Sequence, residues 1–259
     1  MEININDIIT TDGYLKFCLD NNICYIKTDY FKIGKFNWRG NLHPNIISKQ
    51  AVIGHSDYEI NDDIANMFEK VFCINKNTNN INVYSLPLGI TNDCDDSELH
   101  KIYGNKEIMV KISKETINKD NILYLNFNIN THIDRVDIYN HFSHLNFIKT
   151  GIIVNTIDGR GKFLRDIKSS KFVLCPRGNG IDTHRLWETL YMGSIPVVKY
   201  EITHDCVKDL PILFIDDWNQ LNESFLNNKY EEMINKKWNM EKLKISYWNE
   251  YIKKMIKIC

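Results

Sequence analysis

One stretch of 28 residues, Lys171–Val198 (KFVLCPRGNGIDTHRLWETLYMGSIPVV), constrains the fold more than the rest of the chain. It opens with an apolar run, Phe172–Cys175, and passes through a polar loop, Pro176-Arg177-Gly178-Asn179-Gly180. A helical pattern follows from about Thr183 to Met192, Gly193 ends it, and a second apolar run, Ile195–Val198, begins. Strand, glycine loop, helix, strand is the unit that seats a phosphorylated ligand at a helix N-terminus.

The charges agree. The chain has six arginines, and four of them (Arg160, Arg165, Arg177, Arg185) fall within 26 residues around this segment, while lysine supplies most positive charge elsewhere. A guanidinium fork suits bidentate phosphate contact. Net charge is -1, so any anion site must be local, and no broad attraction to nucleic acid or membrane follows.

A length of 259 residues fits one large domain or two small ones. The first half alternates short apolar runs with polar turns: Ile23–Lys27, Ala51–Gly54, Val71–Ile74 and Val83–Leu86 read as strands, with a helix over Asn61–Lys70. Thr91–Asn121 lacks a strong apolar pattern and marks the boundary, apart from a helix around Lys106–Ile117. The second half continues with a strand at Ile122–Phe127, a helix over Arg135–Leu145, a strand over Phe147–Val154 and a short helix at Phe163–Ser169. After the opening segment come a strand at Leu210–Ile215 and a helical tail from about Asn222 to Ile256, with Phe225, Ile234, Trp238, Leu243, Trp248, Ile252 and Met255 inward. The pattern predicts an α/β protein with parallel sheets: an N-terminal unit over 1–115, a C-terminal unit over 116–259, and a cleft where strand ends meet.

Three constellations carry chemistry. In the glycine loop and the following turn, Gly178 and Gly180 allow close backbone approach, Asp182 or Thr183 can cap the helix, and His184 and Arg185 lie in its first turn. A diphosphate there would meet N–H groups, Arg185 and Arg177. Glu188, one turn on, can accept from a ribose diol, lie in solvent or pair with Arg185. His55-Ser56-Asp57 ends a strand and offers Asp57 as a general base with His55 beside it, or simply a turn or cap.

Metal patterns are poor: His141 and His144 lack a partner, Asp93, Asp95 and Asp96 read as a solvated loop, and Asp216-Asp217 as a cap. Walker A, GxSxG and GxGxxG patterns are absent. Seven scattered cysteines without a CxxC pair read as reduced thiols of a reducing, cytoplasmic compartment. The N-terminus is not a signal peptide, and no run approaches the ~18 apolar residues of a membrane span. A Golgi or ER lumen location would follow if an anchor had been removed.

The segment Lys171–Val198 resembles the donor-binding motif of exostosin-type glycosyltransferases: a strand, a "CPxG"-like loop, an Arg-containing helix with a glutamate, then "AL.xGxxPV", here Glu188–Val198. The form "PRGNG.D.HR.WE" is similar to the branch of ribitol-phosphate xylosyltransferase-like proteins. Fainter echoes are AVIGHSDY (Ala51–Tyr58), LPLGI (Leu86–Ile90) and ILYLNFNI (Ile122–Ile129). The resemblance implies a GT-B fold of two Rossmann-like domains. It implies an inverting transfer from a nucleotide-sugar, a UDP-sugar by expectation, to a hydroxyl of a glycan or glycoprotein. No cofactor or metal is implied, because basic side chains and helix dipoles stabilise the leaving diphosphate. By position, Arg185 contacts the diphosphate, Glu188 the ribose, and Arg177, Gly178, Asn179 and Gly180 line the phosphates or sugar; Asp182 and His184 complete the donor side. Asp57, then His55, is the expected base. The chain is short for this fold, so the acceptor domain is expected to be trimmed. His184-Arg185-Leu186-Trp187-Glu188 lacks the "TEK" order of α-1,3-fucosyltransferases, which makes GDP-fucose the lesser donor. A non-catalytic glycan- or nucleotide-binding module is the other alternative.

Overall fold

The computed structural model describes residues 2–27, 31–32, 35–36, 49–94 and 97–256. Two parallel sheets organise them. The first unit runs α1 (Thr11–Asp20), β1 (Cys24–Lys27), a small antiparallel pair β2 (Phe31–Lys32) and β3 (Lys35–Phe36), β4 (Gln50–Gly54), α2 (Asp62–Ala65), β5 (Lys70–Cys73) and β6 (Val83–Ser85). Its main sheet has the order β1-β4-β5-β6, all parallel. Thr10 starts α1 by accepting the Gly13 N–H at 3.1 Å.

The second unit runs α3 (Glu98–Tyr103), α4 (Lys106–Ser113), β7 (Asn121–Leu125), α5 (Asp134–Phe142), β8 (Ile148–Thr150), α6 (Ile157–Lys168), β9 (Ser170–Leu174), α7 (His184–Tyr191), β10 (Ile195–Lys199), β11 (Leu213–Ile215), α8 (Glu223–Ile234) and α9 (Ile245–Ile256). Its sheet has the order β11-β10-β9-β7-β8, again all parallel. Parallel strands buried on both faces need continuous apolar runs, and β9 and β10 provide them: Phe172, Val173, Leu174, Val197 and Val198 are all buried. The α/β class with two parallel sheets and a cleft is thus the observed architecture.

The two units share a core. Tyr14, Phe17 and Cys18 of α1 belong to the same buried cluster as Leu186, Trp187 and Leu190 of α7 and Ile245, Trp248 and Ile252 of α9. The last helix therefore returns to the first unit, and Lys70 Nζ donates to the Met255 carbonyl at 2.6 Å. The Tyr191 hydroxyl accepts from Ile9 N at 2.9 Å and donates to Leu243 O at 2.8 Å, so the end of α7 is tied to both. Helices α3 and α4, in the weakly patterned segment, pack on α6.

Several elements differ from the sequence expectation. The helix over Asn61–Lys70 is one turn, because the chain reverses after Ala65 to enter β5, leaving Met67 at 36% exposure. β8 stops at Thr150, and Ile152 is 84% exposed in the cleft wall. β11 begins only at Leu213, since Pro211 has no N–H for a ladder. Helix α6 starts six residues early, at Ile157, capped by Thr156, which accepts from Gly159 N; its two glycines concealed it in the sequence. Ile234 is 52% exposed rather than inward.

Gly180 and Gly161 separate local propensity from packing. A Cβ at Gly180 would lie 2.6 Å from Asn75 Nδ2, whose amide donates to Ser56 O and whose Oδ1 accepts from Asp182 N, so the neighbour cannot move freely. Gly180→Ala is expected to cost about 1–3 kcal/mol in urea unfolding. At Gly161 in α6 the nearest atom is 3.4 Å away, and Gly161→Ala is expected to stabilise by about 0.5–1 kcal/mol. Equal effects at both positions would contradict this packing account.

Candidate functional site

A cleft of about 420 Å³ opens where the strand ends of the two units face each other. The first unit contributes Asp57, Leu88 and Thr91; the second contributes Gly178 to Gly180, Asp182 to Arg185 and Glu188. Strand β9 delivers the glycine loop to this position. Gly178 N donates to Gly180 O at 3.0 Å, closing a tight turn.

Arg135, at the start of α5, fixes that loop. Its guanidinium is buried, with Nε donating to Arg177 O at 2.7 Å, Nη2 to Pro176 O at 2.9 Å and Nη1 to Asn128 O at 3.0 Å. Burial and the nearby Arg185 charge bring its pKa down to about 10. Sequence reasoning missed it, because it lies outside the arginine cluster.

The clustered arginines separate. Arg165 forms a two-pronged pair with Glu115 at 2.6 and 2.7 Å, away from the cleft. Arg177 turns toward the first unit and donates to Glu59 at 2.6 Å, so the expected phosphate contact from its side chain is not made from this geometry. Arg160 and Arg185 line the cleft. Arg185 lies over the Phe163 ring at 5.6 Å, and its buried Nε has no hydrogen-bond partner. Arg160 is fully enclosed, stacked near Tyr103 and Phe163, with Nη2 donating to Tyr103 O.

Glu188 is buried, and its Oε1 lies 2.6 Å from Arg160 Nη1. Neither the solvated form nor a pair with Arg185 is what the structure shows. The Arg160–Glu188 contact is close but not aligned as a hydrogen bond, so Nε and Nη1 of Arg160 remain without an acceptor. Enclosed against Glu188, Arg160 is a paired cation beneath the cleft, and Arg185 is the arginine placed to meet an anionic ligand.

Asp182 serves the scaffold. Its oxygens accept from Leu88 N, Thr183 N and Trp187 Nε1, which links α7 to the first unit. Burial still pushes its carboxyl up to about 6. Thr183 occupies the cap position of α7 without a side-chain cap, so neither residue caps as the sequence suggested. First-turn N–H groups beside the glycine loop are left for an anion.

Asp57 and His55 sit at the end of β4. Asp57 is exposed in the cleft, with Asn179 Nδ2 at 3.4 Å across the gap. His55 adopts φ +54°, and both ring nitrogens are engaged: Nδ1 with the Tyr25 hydroxyl at 2.6 Å, Nε2 with Asp12 Oδ1 and Asn92 Nδ2 at 2.8 Å each. The hydrogen bond with His55 holds Asp12 below the usual carboxylate range against the opposing effect of burial. His55 therefore braces this strand end and has no free nitrogen for proton transfer, which corrects its expected role. A second cavity of about 700 Å³ adjoins the first and is lined by Asp12, Lys27, His55, Asn92 and His100.

Among the described residues no group of three or more His, Cys, Asp or Glu side chains is placed to hold a metal; Asp95 and Asp96 of the acidic loop lie outside the described residues. Cys18, Cys24, Cys73, Cys175 and Cys206 form no disulfide, and burial pushes the Cys175 thiol beside the loop up to about 12. No described helix is long and apolar enough to cross a membrane.

Two crystal structures are similar in overall shape. One, of an α1,3-fucosyltransferase, is 14% identical, with 83% of this chain and 79% of that chain covered and a TM-score of 0.45. Another, of an α1,3-fucosyltransferase with GDP-fucose, is 14% identical, covers 84% and 80%, and has a TM-score of 0.43. Likeness at that level carries no argument about function. No curated protein matches the chain. Residues 141–258, which include the glycine loop, α7 and α9, match the family model of the RXYLT1 C-terminal domain.

Proposed function

We propose that this chain is a glycosyltransferase that moves a sugar from a nucleoside-diphosphate donor to a hydroxyl, with inversion and without a catalytic metal. The carrying observation is that Arg185 and the uncapped N-terminus of α7 converge on the cleft beside the glycine loop, with the Arg160–Glu188 pair packed beneath them. In a half-enclosed site these groups neutralise the charge that grows on a departing diphosphate. The RXYLT1 C-terminal match over 141–258 supports the reading, since it spans the same loop and helix. A UDP-sugar is the proposed donor, and membership of the exostosin-type group is proposed on the motif. The acceptor hydroxyl, carried by a glycan or glycoprotein, would approach from the first unit. There Asp57 and a second cavity adjoin the donor side.

A nucleotide panel read by thermal shift and calorimetry tests this. At least one of UDP, GDP, CDP or dTDP is expected to raise the melting temperature. Arg185→Ala is expected to weaken that nucleotide about 10–100-fold, the worth of one charge-assisted hydrogen bond. Arg177→Ala, whose side chain faces Glu59, is expected to bind within about threefold of the native chain. Absence of any nucleotide effect would sink the reading; equal losses in both variants would sink the site geometry. Binding without turnover of any sugar nucleotide would favour a non-catalytic module.

A further inference from the structure

We infer that Nε2 of His184 is the group that takes the acceptor proton, with Asp57 supporting the imidazolium that forms. The inference rests on the glycosyl-transfer reading and refines the expected base.

Five residues line both cavities: Asp57, Leu88, Thr91, Asn179 and His184. A base must stand where donor and acceptor meet, and only Asp57 and His184 among these five titrate. His184 is oriented as a base requires. Its Nδ1 lies 2.8 Å from the Gly89 carbonyl, which can only accept, so Nδ1 carries the proton and Nε2 the lone pair of the neutral ring. That carbonyl is itself fixed. Gly89 has φ +74°, a Cβ there would lie 2.1 Å from Ile9 O, and Ile90 N donates to the same oxygen at 2.9 Å. Nε2 has no protein partner among the described residues and is not sealed from the cleft. The first unit thus sets the tautomer of a residue on the second.

The surrounding charges fit the task. Burial lowers the pKa of His184, so the ring is neutral and able to accept at neutral pH. Asp57 from the end of β4 and Glu188 on α7 favour the protonated ring, while Arg160 from α6 opposes it. Arg185, Asp182, Arg135 and Tyr103 in the first cavity and His55, His100, Asp12, Lys27, Tyr58 and Cys94 in the adjoining one complete the ionisable lining. Asp57 itself is solvent-exposed and, among the described residues, accepts a hydrogen bond from Asn179 Nδ2 at 3.4 Å, which leaves it well placed to stabilise a neighbouring cation.

The step balances. The acceptor O–H gives its proton to His184 Nε2 while the oxygen's electron pair forms the bond to the anomeric carbon. The bond from that carbon to the phosphate oxygen breaks, and its electron pair leaves with the nucleoside diphosphate toward Arg185 and the α7 N-terminus. The imidazolium then returns its proton to water.

His184→Asn is the discriminating variant. The asparagine amide N–H sits where Nδ1–H was, so the Gly89 bond can persist while Nε2 is deleted. Release of nucleoside diphosphate from UDP- and GDP-sugars, with simple monosaccharides as acceptors, is followed against pH. The native chain is expected to lose kcat as pH falls through the lowered histidine value. His184→Asn is expected to lose kcat about 100-fold or more and to lose that acid limb, with donor KM held within about threefold. Asp57→Asn is expected to lose about tenfold and to move the limb to lower pH, because the carboxylate no longer favours the imidazolium. His184→Gln, read the same way, replaces the Asn variant if that one fails to fold. Retention of the acid limb in the His184 variant, or an Asp57→Asn loss that exceeds the His184 loss, overturns the assignment. No diphosphate release by the native chain from any donor overturns the glycosyl-transfer reading and the base with it.

Discussion

Glu188→Ala is expected to destabilise the protein by about 3–5 kcal/mol, because it strands a buried guanidinium. Arg160 has no exposed side-chain surface and meets the Glu188 carboxylate at 2.6 Å. Its remaining contacts are the Tyr103 carbonyl and the faces of Tyr103 and Phe163. None of them carries a negative charge. Deleting the carboxylate leaves a cation without water or counter-charge, whereas replacing both members with apolar side chains of similar volume removes the penalty altogether. The double variant Arg160→Met with Glu188→Leu is therefore expected to unfold within about 1–2 kcal/mol of the native chain. Urea unfolding of Glu188→Ala and of the double variant decides it. A Glu188→Ala loss below about 1 kcal/mol would mean that the pair is not sealed as described. The consequence for function is direct: a weakened ligand affinity in Glu188→Ala reports lost structure first.

Arg135→Ala is expected to cost about 3–5 kcal/mol and to remove most nucleotide affinity, although Arg135 was no part of the expected donor set. One guanidinium holds three backbone carbonyls, those of Asn128, Pro176 and Arg177, and lies 5.3 Å from the centre of the Phe127 ring. Two of those carbonyls belong to the glycine loop. Without the fork the buried Pro176 carbonyl and the half-buried Arg177 carbonyl lose this partner, and the loop loses the anchor that aims its N–H groups into the cleft. Arg135→Lys restores the charge but not three diverging donors in one plane, so it is expected to recover less than half of the loss. Urea midpoints paired with nucleotide titration measure both effects. A lysine variant that matches the native chain would show that charge alone, rather than the fork, holds the loop.

Glycine positions show how local the readable information was. The apolar runs of β9 and β10, the glycine loop and the helix that became α7 follow from neighbours in sequence, through strand burial, turn sterics and helical periodicity. They emerged from the chain almost residue for residue. Where local signals were diluted, boundaries slipped: Gly159 and Gly161 concealed the first half of α6, and the apolar Gly151–Val154 run extended β8 beyond its last ladder bond.

Sequence by itself therefore determined the α/β class, the parallel sheets and the loop-to-helix element that faces the cleft. It also brought Arg185, Glu188, His184 and Asp57 to notice as residues near one site. Tertiary structure decided which partner each of them takes. Arg160 rather than Arg185 meets Glu188, Arg177 turns to Glu59, His55 is consumed by Tyr25, Asp12 and Asn92, and Gly89 sets the tautomer of His184. α9 returns across the chain to complete the first unit's core. These are contacts between residues far apart in sequence. Their outcome depends on burial and on the fixed directions of neighbouring donors and acceptors, and those exist only once the two units have packed.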